Sequence, residues 1–501
     1  MRLAFWSALI VWGIRPIYGL PGQHVLKQSE EEDVRKACHS LALGIGRDSV
    51  FFQNDQQYKY QQRDYWYQQQ RNLHPKCRVL PRTTEEVRKA ISAVTEYSAP
   101  FAVSSGKLGN AQSVSNVDRG ITIDLGRLES IELADDGKSV TLGPGARWID
   151  VYRHLEHFRL GVNGARDGFV GVGGYVLGGG LSWYASYSGW TCDTVIEFEV
   201  VLANGLIVTA DASHYSDLFW ALKGGGNNFG IVTKITLPTF GLCSVFGGYM
   251  LFDQELMEVD DLLYNFRRFN NETLPNTRVG GFLQFATIFG GGTSEEGVAF
   301  AYVDAEDGTA DVANRYFHEP VLQNRTHITS LSEMSRFISE IVYRPLHKVR
   351  FTLTLLNDEV LLTIYNIFSR WSRRLKKEET LQILAMGLHP LTESHLSHGN
   401  NPLGLRAQDS PLVMIDVELH WLQSGLDRYY ENLGWLIYLE MRYAAKTRGS
   451  FHPFVNMNYA AKWQDPVKSY GEENIQRMMS IREAYDPTRV FTRFLKGGFK
   501  V

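Results

Sequence analysis

The chain has 501 residues, and its 51 Lys and Arg residues nearly balance its 55 Asp and Glu residues, for a formal net charge of −4. Because nucleic-acid-binding domains usually carry a strongly basic face, this balance argues against nucleic acid as a partner. Apolar residues make up 44% and charged residues 21%, which is typical of a globular chain of two or three domains and argues against disorder.

The N-terminus has the pattern of a secretory signal peptide spanning residues 1–19. A basic second residue precedes an apolar run over 3–14, and Gly19 is small enough for a cleavage site. The run is shorter than the roughly 20 apolar residues of a spanning helix, and we expect no membrane span later in the chain. A buried N-terminal helix is the alternative. Two sequons, at Asn271 and Asn324, also favour a secreted or lumenal protein with N-linked glycans.

The four cysteines are too few for a disulfide scaffold. Cys38 and Cys77 flank a polar stretch and could pair in an oxidising compartment. Cys192 and Cys243 lie in apolar surroundings, so we expect small buried side chains there. No Cys and His cluster has the spacing of a zinc site, so no metal is expected.

Between the N-terminus and residue 243 the sequence alternates predicted strands with predicted helices. Residues 30–72 are polar and helical in part, and the DYWY segment at 64–67 is expected to be an ordinary surface segment rather than an aromatic box. The elements predicted next, in chain order, are a strand at 77–81, a helix over 83–99 capped by Thr83 or Thr84, strands at 100–103, 121–125 and 139–142, a helix over 148–157, and a hairpin of 195–202 with 207–209 across an Asn-Gly turn. This alternation indicates α/β or α+β packing, and we adopt α+β.

Glycines cluster in two segments of this region. Residues 164–180 read GARDGFVGVGGYVLGGG, and 224–226 are three consecutive glycines. Each glycine costs about 1 kcal/mol in a helix, so the triple glycine predicts a loop where the backbone approaches something closely. The GVGG stretch could present backbone N–H groups to a pyrophosphate, although tight packing explains such glycines equally well.

The composition changes after residue 243. Apolar strands are predicted at 282–288 and 298–303, and longer helices over 359–377 and 426–446, which indicates a second, substrate-side domain.

Within this second domain, the segment MIDVELHW at 414–421 carries the candidate acid–base groups. In a strand, Asp416, Glu418 and His420 share one face. A carboxylate beside a large apolar pocket can have a raised pKa and act as a general acid or base. The solvated polar face of an edge strand is the alternative. Tyr459 is either a phenol that orients substrate or a packed aromatic side chain.

Taken together, the segments PFAV, GITIDL, GPGARW, VGVGG, VVLANG and LFWALKGGGNNFGIVT resemble the FAD-linked oxidases of the berberine-bridge-enzyme-like type. The resemblance is closest to their fungal, secreted, secondary-metabolite branch, and it runs from about residue 73 to the end. It implies a two-lobed PCMH-type FAD-binding domain over 73–243 and a mixed sheet-and-helix substrate-binding domain over 244–450. It also implies a berberine-bridge-like C-terminal segment over 451–501 that returns to the flavin.

The resemblance also implies which residues hold FAD. The expected contacts of the pyrophosphate and ribityl chain are Ser104, Ser105, Gly106, Val170, Gly171, Val172, Gly173 and Gly174. Gly178–Gly180 and Asp193 are expected to support the adjacent turn. The residues expected near the adenine are Gly230, Ile231 and Val232, and those expected beside the flavin ring are Asn458 and Tyr459.

The sequence departs from the family pattern at three places. The flavin-linking His of the family aligns with Leu108, or with Lys107 if the alignment slips by one, and the linking Cys aligns with Asp167. We therefore expect FAD to be bound without a covalent link. The C-terminal pattern Tyr-x-Asn-Tyr-Ala-Asp reads NMNYAA at 456–461, so the Tyr that often assists proton removal is missing. In the family, the region of 414–421 lines the substrate cavity above the flavin.

These features predict an FAD-linked oxidoreductase that acts on a medium-sized apolar metabolite in fungal secondary metabolism. Its partners would be this small molecule and O2, with hydride transfer to flavin N5 followed by reoxidation. The alternative is a non-redox isomerase or cyclase on the same scaffold that uses Glu418 or Asp416 as a general acid. A catalytically silent binding protein is a third possibility.

Overall fold

A computed structural model describes residues 28–109, 113–253, 256–275, 277–290, 293–304, 316–317, 320–340, 346–357 and 359–501. Its three β-sheets, with their helices, follow one another along the chain. The predicted signal segment at 1–19 lies outside the described residues. In the part of the chain that is described, no helix is long and apolar enough to cross a membrane.

The first lobe contains a four-stranded sheet with the strand order β1-β2-β4-β3. Its elements are α1 (Gln28–Gly44), β1 (Val50–Phe52), α2 (Gln56–Arg63), α3 (Gln68–Arg71), β2 (Cys77–Val79), α4 (Thr84–Glu96), β3 (Phe101–Ser104) and β4 (Ile121–Asp124). The predicted cap of α4 is confirmed, since Thr83 Oγ1 accepts a hydrogen bond from the Glu86 N–H at 3.2 Å. A disulfide between Cys38 and Cys77 joins α1 to β2.

The second lobe is built on a six-stranded sheet with the order β5-β6-β10-β8-β9, and β7 pairs with one end of β10. Its elements are β5 (Ile131–Leu133), β6 (Ser139–Leu142), α5 (Trp148–Glu156), β7 (Leu160–Val162), α6 (Val172–Leu177), α7 (Ala185–Ser188), β8 (Glu197–Val201), β9 (Ile207–Asp211), α8 (Ser216–Leu222) and β10 (Ile231–Gly241). The predicted hairpin is confirmed: β8 pairs with β9 across a turn in which Gly205 has a φ of +82°.

Two cysteines remain as free thiols. Cys192 is buried as expected, but the expectation for Cys243 is wrong because its side chain is exposed. Cys243 lies in the short connection between β10 and the next strand, where the chain passes over the surface.

The third sheet has nine strands, in the order β14-β11-β13-β12-β17-β18-β16-β19, with β15 paired to β11. Its elements are β11 (Val245–Phe252), α9 (Val259–Glu272), β12 (Val279–Gly290), β13 (Thr293–Asp304), β14 (Val321–Asn324), β15 (His327–Thr329), α10 (Leu331–Glu340), β16 (His347–Leu355), α11 (Leu361–Leu375), β17 (Leu381–Leu391), α12 (Glu393–Ser397), β18 (Leu412–Trp421), α13 (Asp427–Thr447) and β19 (Phe451–His452). One face of this sheet forms an apolar core with α9, α11 and α13. Its other face is turned toward the first two lobes.

The C-terminal segment packs back onto those two lobes. Its helices are α14 (Glu472–Tyr485) and α15 (Val490–Arg493). Val490, Phe491 and Leu495 join the core of the first lobe, and Asn228 accepts a hydrogen bond from the backbone N–H of Val501 at 3.2 Å. Because β19, at the start of this segment, pairs with β16, the segment ties the third sheet to the first two lobes.

Candidate active site

The candidate site lies on the lobe-facing side of the third sheet. Strands β16 and β18 are antiparallel neighbours, and Lys348 lies opposite His420, Arg350 opposite Glu418, and Thr352 opposite Asp416. Directly opposite residues project to the same face of a sheet, so these polar side chains form one patch. The apolar residues that alternate with them, such as Phe351 and Val417, enter the core on the other face.

The alternative of a solvated edge strand is wrong for β18. This strand is paired on both sides, to β17 and to β16, and Asp416 and His420 are buried. Buried polar groups of this kind need partners, because an unpaired charge away from water is very costly. The partners are supplied mainly by a single arginine.

Arg350 holds both carboxylates of the patch. Its Nε lies 2.9 Å from Oδ2 of Asp416 and 2.8 Å from Oε1 of Glu418. Such charge-assisted contacts are stronger than neutral hydrogen bonds and fix the geometry of the three side chains. Both candidate carboxylates are therefore members of an ion-pair network.

The expected raised carboxylate pKa is not found at Glu418. Burial by itself would raise the pKa of Glu418, but Arg350, the hydrogen bond from His420 and the charge of Lys348 outweigh burial, so this pKa lies well below its ordinary value. Glu418 is ionised at neutral pH and carries no proton to donate. A role for it as a general acid is not supported by this environment.

His389, on β17, lies in a second chain of contacts and is fixed in one tautomer. Its Nδ1 lies 2.9 Å from the Arg166 guanidinium, which can only donate, so Nδ1 accepts. Its Nε2 therefore carries the hydrogen and donates to Oδ1 of Asp416 at 2.6 Å. Burial lowers the pKa of His389. With both ring nitrogens engaged, this neutral imidazole has no lone pair left for a substrate.

His420 differs from His389 because only one of its ring nitrogens is engaged. Nε2 donates to Oε2 of the ionised Glu418 at 2.7 Å, which leaves Nδ1 as the unprotonated nitrogen. That Nδ1 is buried and has no hydrogen-bond partner among the described residues. Burial, followed by the charge of Lys348, lowers the pKa of His420 against the opposing effect of Glu418.

Lys348 is the second group with an unmet hydrogen-bonding capacity. Its side chain is 3% exposed, and Nζ has no hydrogen-bond partner in the described part of the chain. Nζ lies 3.4 Å from the centroid of the Trp66 ring and 5.6 Å from that of Tyr67. Burial lowers the pKa of Lys348 to about 7.

The expectation that the segment 64–67 is an ordinary surface segment is wrong. Tyr65 and Tyr67 are buried, and Trp66 packs against Lys348. The amide group of Gln69 donates to the backbone carbonyl of Lys348 at 3.0 Å. The segment is held against β16 and forms an aromatic wall of the polar patch.

The segment at 456–459 joins the polar patch to the glycine-rich lobe. Asn458 Nδ2 donates to the backbone carbonyl of Tyr175 in α6 at 2.9 Å. The ring of the next residue, Tyr459, lies under the Arg350 guanidinium at 3.9 Å. Burial raises the pKa of the Tyr459 phenol. Tyr459 therefore contacts the charged groups of the patch and is more than a core aromatic residue.

The two predicted cofactor segments meet each other, backbone against backbone. A Cβ atom on Gly106 would lie 2.4 Å from the backbone N of Gly171, and a Cβ on Gly171 would lie 2.4 Å from the Gly106 Cα. The Ser105 hydroxyl donates to the Pro144 carbonyl in the adjacent turn. Only glycine at both positions permits this approach.

This junction also has features that fit a flavin nucleotide. The Ser104 Oγ is buried without a hydrogen-bond partner among the residues described. A Cβ on Gly174 would meet nothing within 4 Å, so the first turn of α6 borders open space. Val170, Val172 and Gly173 lie in the same stretch, and the Gly173 N–H donates to the Pro144 carbonyl at 3.1 Å. One of the two segments that meet at this junction has an unmet hydroxyl and the other has an open glycine position, and both features suit a polar ligand such as a pyrophosphate.

For the remaining residues that were predicted to support or contact FAD, packing within the protein is enough to explain their positions. Asp193 closes the turn after Gly178–Gly180 by accepting hydrogen bonds from the Trp190 N–H at 3.0 Å and from Asn401 at 2.6 Å. A Cβ on Gly178 would collide with Asn458 Oδ1 at 2.1 Å. Gly230 packs against Val200, and the next two residues, Ile231 and Val232, pair with β8 in the sheet. A contact of 230–232 with adenine stays a prediction.

Lys107, adjacent to the Leu108 position, is engaged in ion pairs. Its Nζ lies 3.1 Å from Oδ2 of both Asp64 and Asp124. Lys107 therefore balances two carboxylates.

Sequence reasoning missed Lys348, Arg350, Arg166 and His389. Strand β16 carried a usable signal, because HKVRFTLTL alternates polar and apolar residues with the period of a two-faced strand. Arg166 and His389 carry no such signal. They are 223 residues apart in the chain and meet only in the folded protein.

The chain is similar to known proteins in sequence. Residues 75–211 match the family described as FAD binding domain. The chain is 33% identical over 457 residues to the FAD-dependent monooxygenase tpcD of Cochliobolus heterostrophus, covering 87% of each chain.

Solved structures share the fold at lower sequence identity. The xylooligosaccharide oxidase of Myceliophthora thermophila superposes with a TM-score of 0.73 at 17% identity, over 94% of this chain and 99% of that one. A berberine-bridge-like protein of Physcomitrella patens, the wild-type BBE-like 1, gives a TM-score of 0.70 at 16% identity, over 91% and 97%.

Proposed function

The chain belongs to the family of FAD-dependent oxidoreductases with a PCMH-type FAD-binding domain, and from this premise we propose that it oxidises a medium-sized, largely apolar metabolite of fungal secondary metabolism. The observation that carries the proposal is the junction at 458–459. Asn458 contacts α6 beside the glycine segments, while Tyr459 contacts Arg350 in the polar patch. A cofactor held by the glycine segments would therefore border the acid–base groups.

The residues that would hold FAD are Ser104–Gly106 and Val170–Gly174, on the two faces of the glycine junction. When bound, FAD would supply a hydride acceptor that O2 reoxidises. We propose non-covalent binding, because Leu108 and Asp167 stand where the family carries its linking His and Cys.

The chain's own residues would orient the substrate and handle its proton. Trp66, Tyr67 and Tyr459 provide aromatic surface for an apolar body. Arg350 fixes Asp416 and Glu418, which in turn orient His389 and His420. The non-redox alternative with Glu418 as the general acid is disfavoured, because Glu418 is ionised in this network.

The proposal also includes the secretory route. The signal-like pattern at 1–19 and the sequons support it, and both sequon asparagines are exposed in the structure. The disulfide between Cys38 and Cys77 suits an oxidising compartment.

A single preparation tests the oxidoreductase proposal. The purified protein should be yellow, and anaerobic mixing with a panel of hydroxylated and non-hydroxylated aromatic compounds should bleach the flavin with at least one of them. Admission of O2 should restore the colour. Product formation without any flavin bleaching would favour the isomerase or cyclase instead, and a colourless protein would contradict FAD binding.

A further inference from the structure

Two neighbouring side chains on the polar patch have hydrogen-bonding capacity that the protein does not use. Lys348 and His420 lie directly opposite each other in β16 and β18, where Cβ atoms are about 5 Å apart. Lys348 Nζ and His420 Nδ1 are both buried without a hydrogen-bond partner among the described residues. Because burying an unpaired polar group is costly, two such groups side by side indicate a missing polar ligand.

The two groups are complementary in kind. His420 donates through Nε2 to the ionised Glu418, so its Nδ1 can only accept. In its ammonium form, Lys348 has three N–H donors and no acceptor. One donor and one acceptor on neighbouring residues match a hydroxyl group, whose oxygen accepts from the amine while its hydrogen is donated to the imidazole.

Two buried groups of the same types elsewhere in the protein are fully partnered, whereas both ring nitrogens of His395, like Nδ1 of His420, have no hydrogen-bond partner among the described residues. His389 has both ring nitrogens engaged, by Arg166 and by Asp416. Lys107 lies between two carboxylates at 3.1 Å. By contrast, Lys348 Nζ lies against the face of Trp66, at 3.4 Å from the ring centroid.

We propose that His420 and Lys348 form a hydroxyl-binding pair in which His420 Nδ1 accepts the proton of a substrate hydroxyl and Lys348 binds the oxygen. In this step the O–H bond breaks, a new N–H bond forms at Nδ1, and the electron pair stays on the oxygen beside Nζ. Glu418 is a positioning residue: its carboxylate orients the imidazole and stabilises the imidazolium.

The pair also restricts the class of substrate. Trp66 and Tyr67 form an aromatic wall beside Nζ, so the hydroxyl should belong to an apolar ring system. A phenol or enol fits best, because its oxyanion is stable enough to persist beside the amine. This inference rests on the proposed function, since it describes the substrate of the same site.

Binding of a simple probe pair tests the hydroxyl recognition. We expect the flavin-containing protein to bind 2-naphthol at least about tenfold more tightly than 2-methoxynaphthalene, measured by titration calorimetry, because a hydrogen bond to a charged group is among the stronger ones. Lys348→Met should remove this preference and leave the affinity for the methyl ether unchanged. Lys446→Met is the matched control, because Lys446 also contacts an aromatic ring, that of Phe451, but lies exposed on α13.

The ionisation state of the bound probe tests proton transfer. On the wild-type protein, the ultraviolet difference spectrum should show naphtholate at a pH at which free 2-naphthol is still protonated. His420→Gln keeps a donor toward Glu418 but has no basic nitrogen, so its bound probe should remain naphthol. Thermal unfolding and flavin content of each variant show whether it is folded.

Either test can overturn the inference. In the binding test, this result would be equal affinity for the two compounds, or no binding of either. In the ionisation test, it would be an unionised probe on the wild-type protein, or naphtholate on folded His420→Gln. Flavin bleaching in the same preparation tests the oxidoreductase proposal separately, so a bleached flavin together with no naphthol preference would reject only the hydroxyl-binding pair.

Discussion

At the scale of single residues, Lys348 should make the stability of the protein depend on pH. Its folded pKa of about 7 lies below its ordinary value because of burial, with Arg350 acting in the same direction and Glu418 and Asp167 against it. His420, Trp66 and Tyr67 are its other close neighbours. Burial of the charged lysine destabilises the folded protein. This destabilisation is fully present below pH 7, declines as pH rises, and vanishes above about pH 10.4, where the unfolded lysine is also neutral.

Lys348→Met should therefore raise the free energy of unfolding more at pH 6 than at pH 9. Between pH 7 and pH 9 the folded lysine is largely neutral while the unfolded lysine is still charged, so the destabilisation falls by about 1.36 kcal/mol per pH unit. The effects of Lys348→Met at pH 6 and pH 9 should therefore differ by about 2 to 3 kcal/mol. Urea unfolding followed by tryptophan fluorescence at the two pH values measures it. The exposed Lys446→Met should show no such gap, and an equal effect of Lys348→Met at both pH values would contradict the assigned environment.

Glu418→Gln should lower turnover by about 10²–10⁴-fold, the range expected when acid–base catalysis is impaired. Glutamine accepts the hydrogen bond from His420 but cannot stabilise an imidazolium, so the acidic limb of the kcat/KM profile should move to lower pH. Lys348 and Arg350 also face His420, and both remain in this variant. Asp416→Asn is the comparison, because Asp416 contacts His389 and Arg350 and not His420. An unmoved pH profile for Glu418→Gln would remove Glu418 from this role.

At the scale of elements, the contact between Gly106 and Gly171 should be intolerant of any side chain. Gly171→Ala places a Cβ 2.4 Å from the Gly106 Cα, and such overpacking typically costs about 1 to 3 kcal/mol. We expect a lower melting temperature and less bound flavin. Gly241→Ala is the control, because a Cβ there meets nothing within 4 Å.

Gly174→Ala separates cofactor contact from packing. Its Cβ also meets nothing within 4 Å of protein, so the flavin-free protein should be as stable as the wild type. If the cofactor lies against α6, flavin affinity should nevertheless fall, which a titration of flavin-free protein with FAD measures. Unchanged affinity would place the cofactor elsewhere.

At the scale of the whole molecule, the flavin should be released when the protein is denatured. Leu108 and Asp167 cannot form the family's covalent links, and Lys107 is engaged with Asp64 and Asp124. Acid precipitation should leave the flavin in the supernatant. Flavin retained in the pellet would contradict the non-covalent proposal.

If the protein is exported, it should carry N-linked glycans on exposed asparagines. Asn271 lies near the end of α9 and Asn324 at the end of β14, and both are exposed. Treatment of protein expressed in a fungal host with an N-glycosidase should lower its apparent mass. An unchanged mass together with an intact Met1 would argue against the secretory route.

Much of the fold followed from the sequence because its signals are local. The capped helix α4, the Asn-Gly hairpin and the two-faced strand β18 each depend on residues within about ten positions of one another. The glycine segments were also recognisable, because a close backbone approach requires the residue type itself.

The chemistry of the site was decided by the tertiary structure. Its carboxylates were found from strand periodicity, but the low pKa of Glu418 depends on Arg350 from a different strand. The tautomer of His389 depends on Arg166, and the environment of Lys348 depends on Trp66, which belongs to the first lobe. Charge state and hydrogen-bond direction are properties of what surrounds a group, and these surroundings assemble only when residues hundreds of positions apart come into contact.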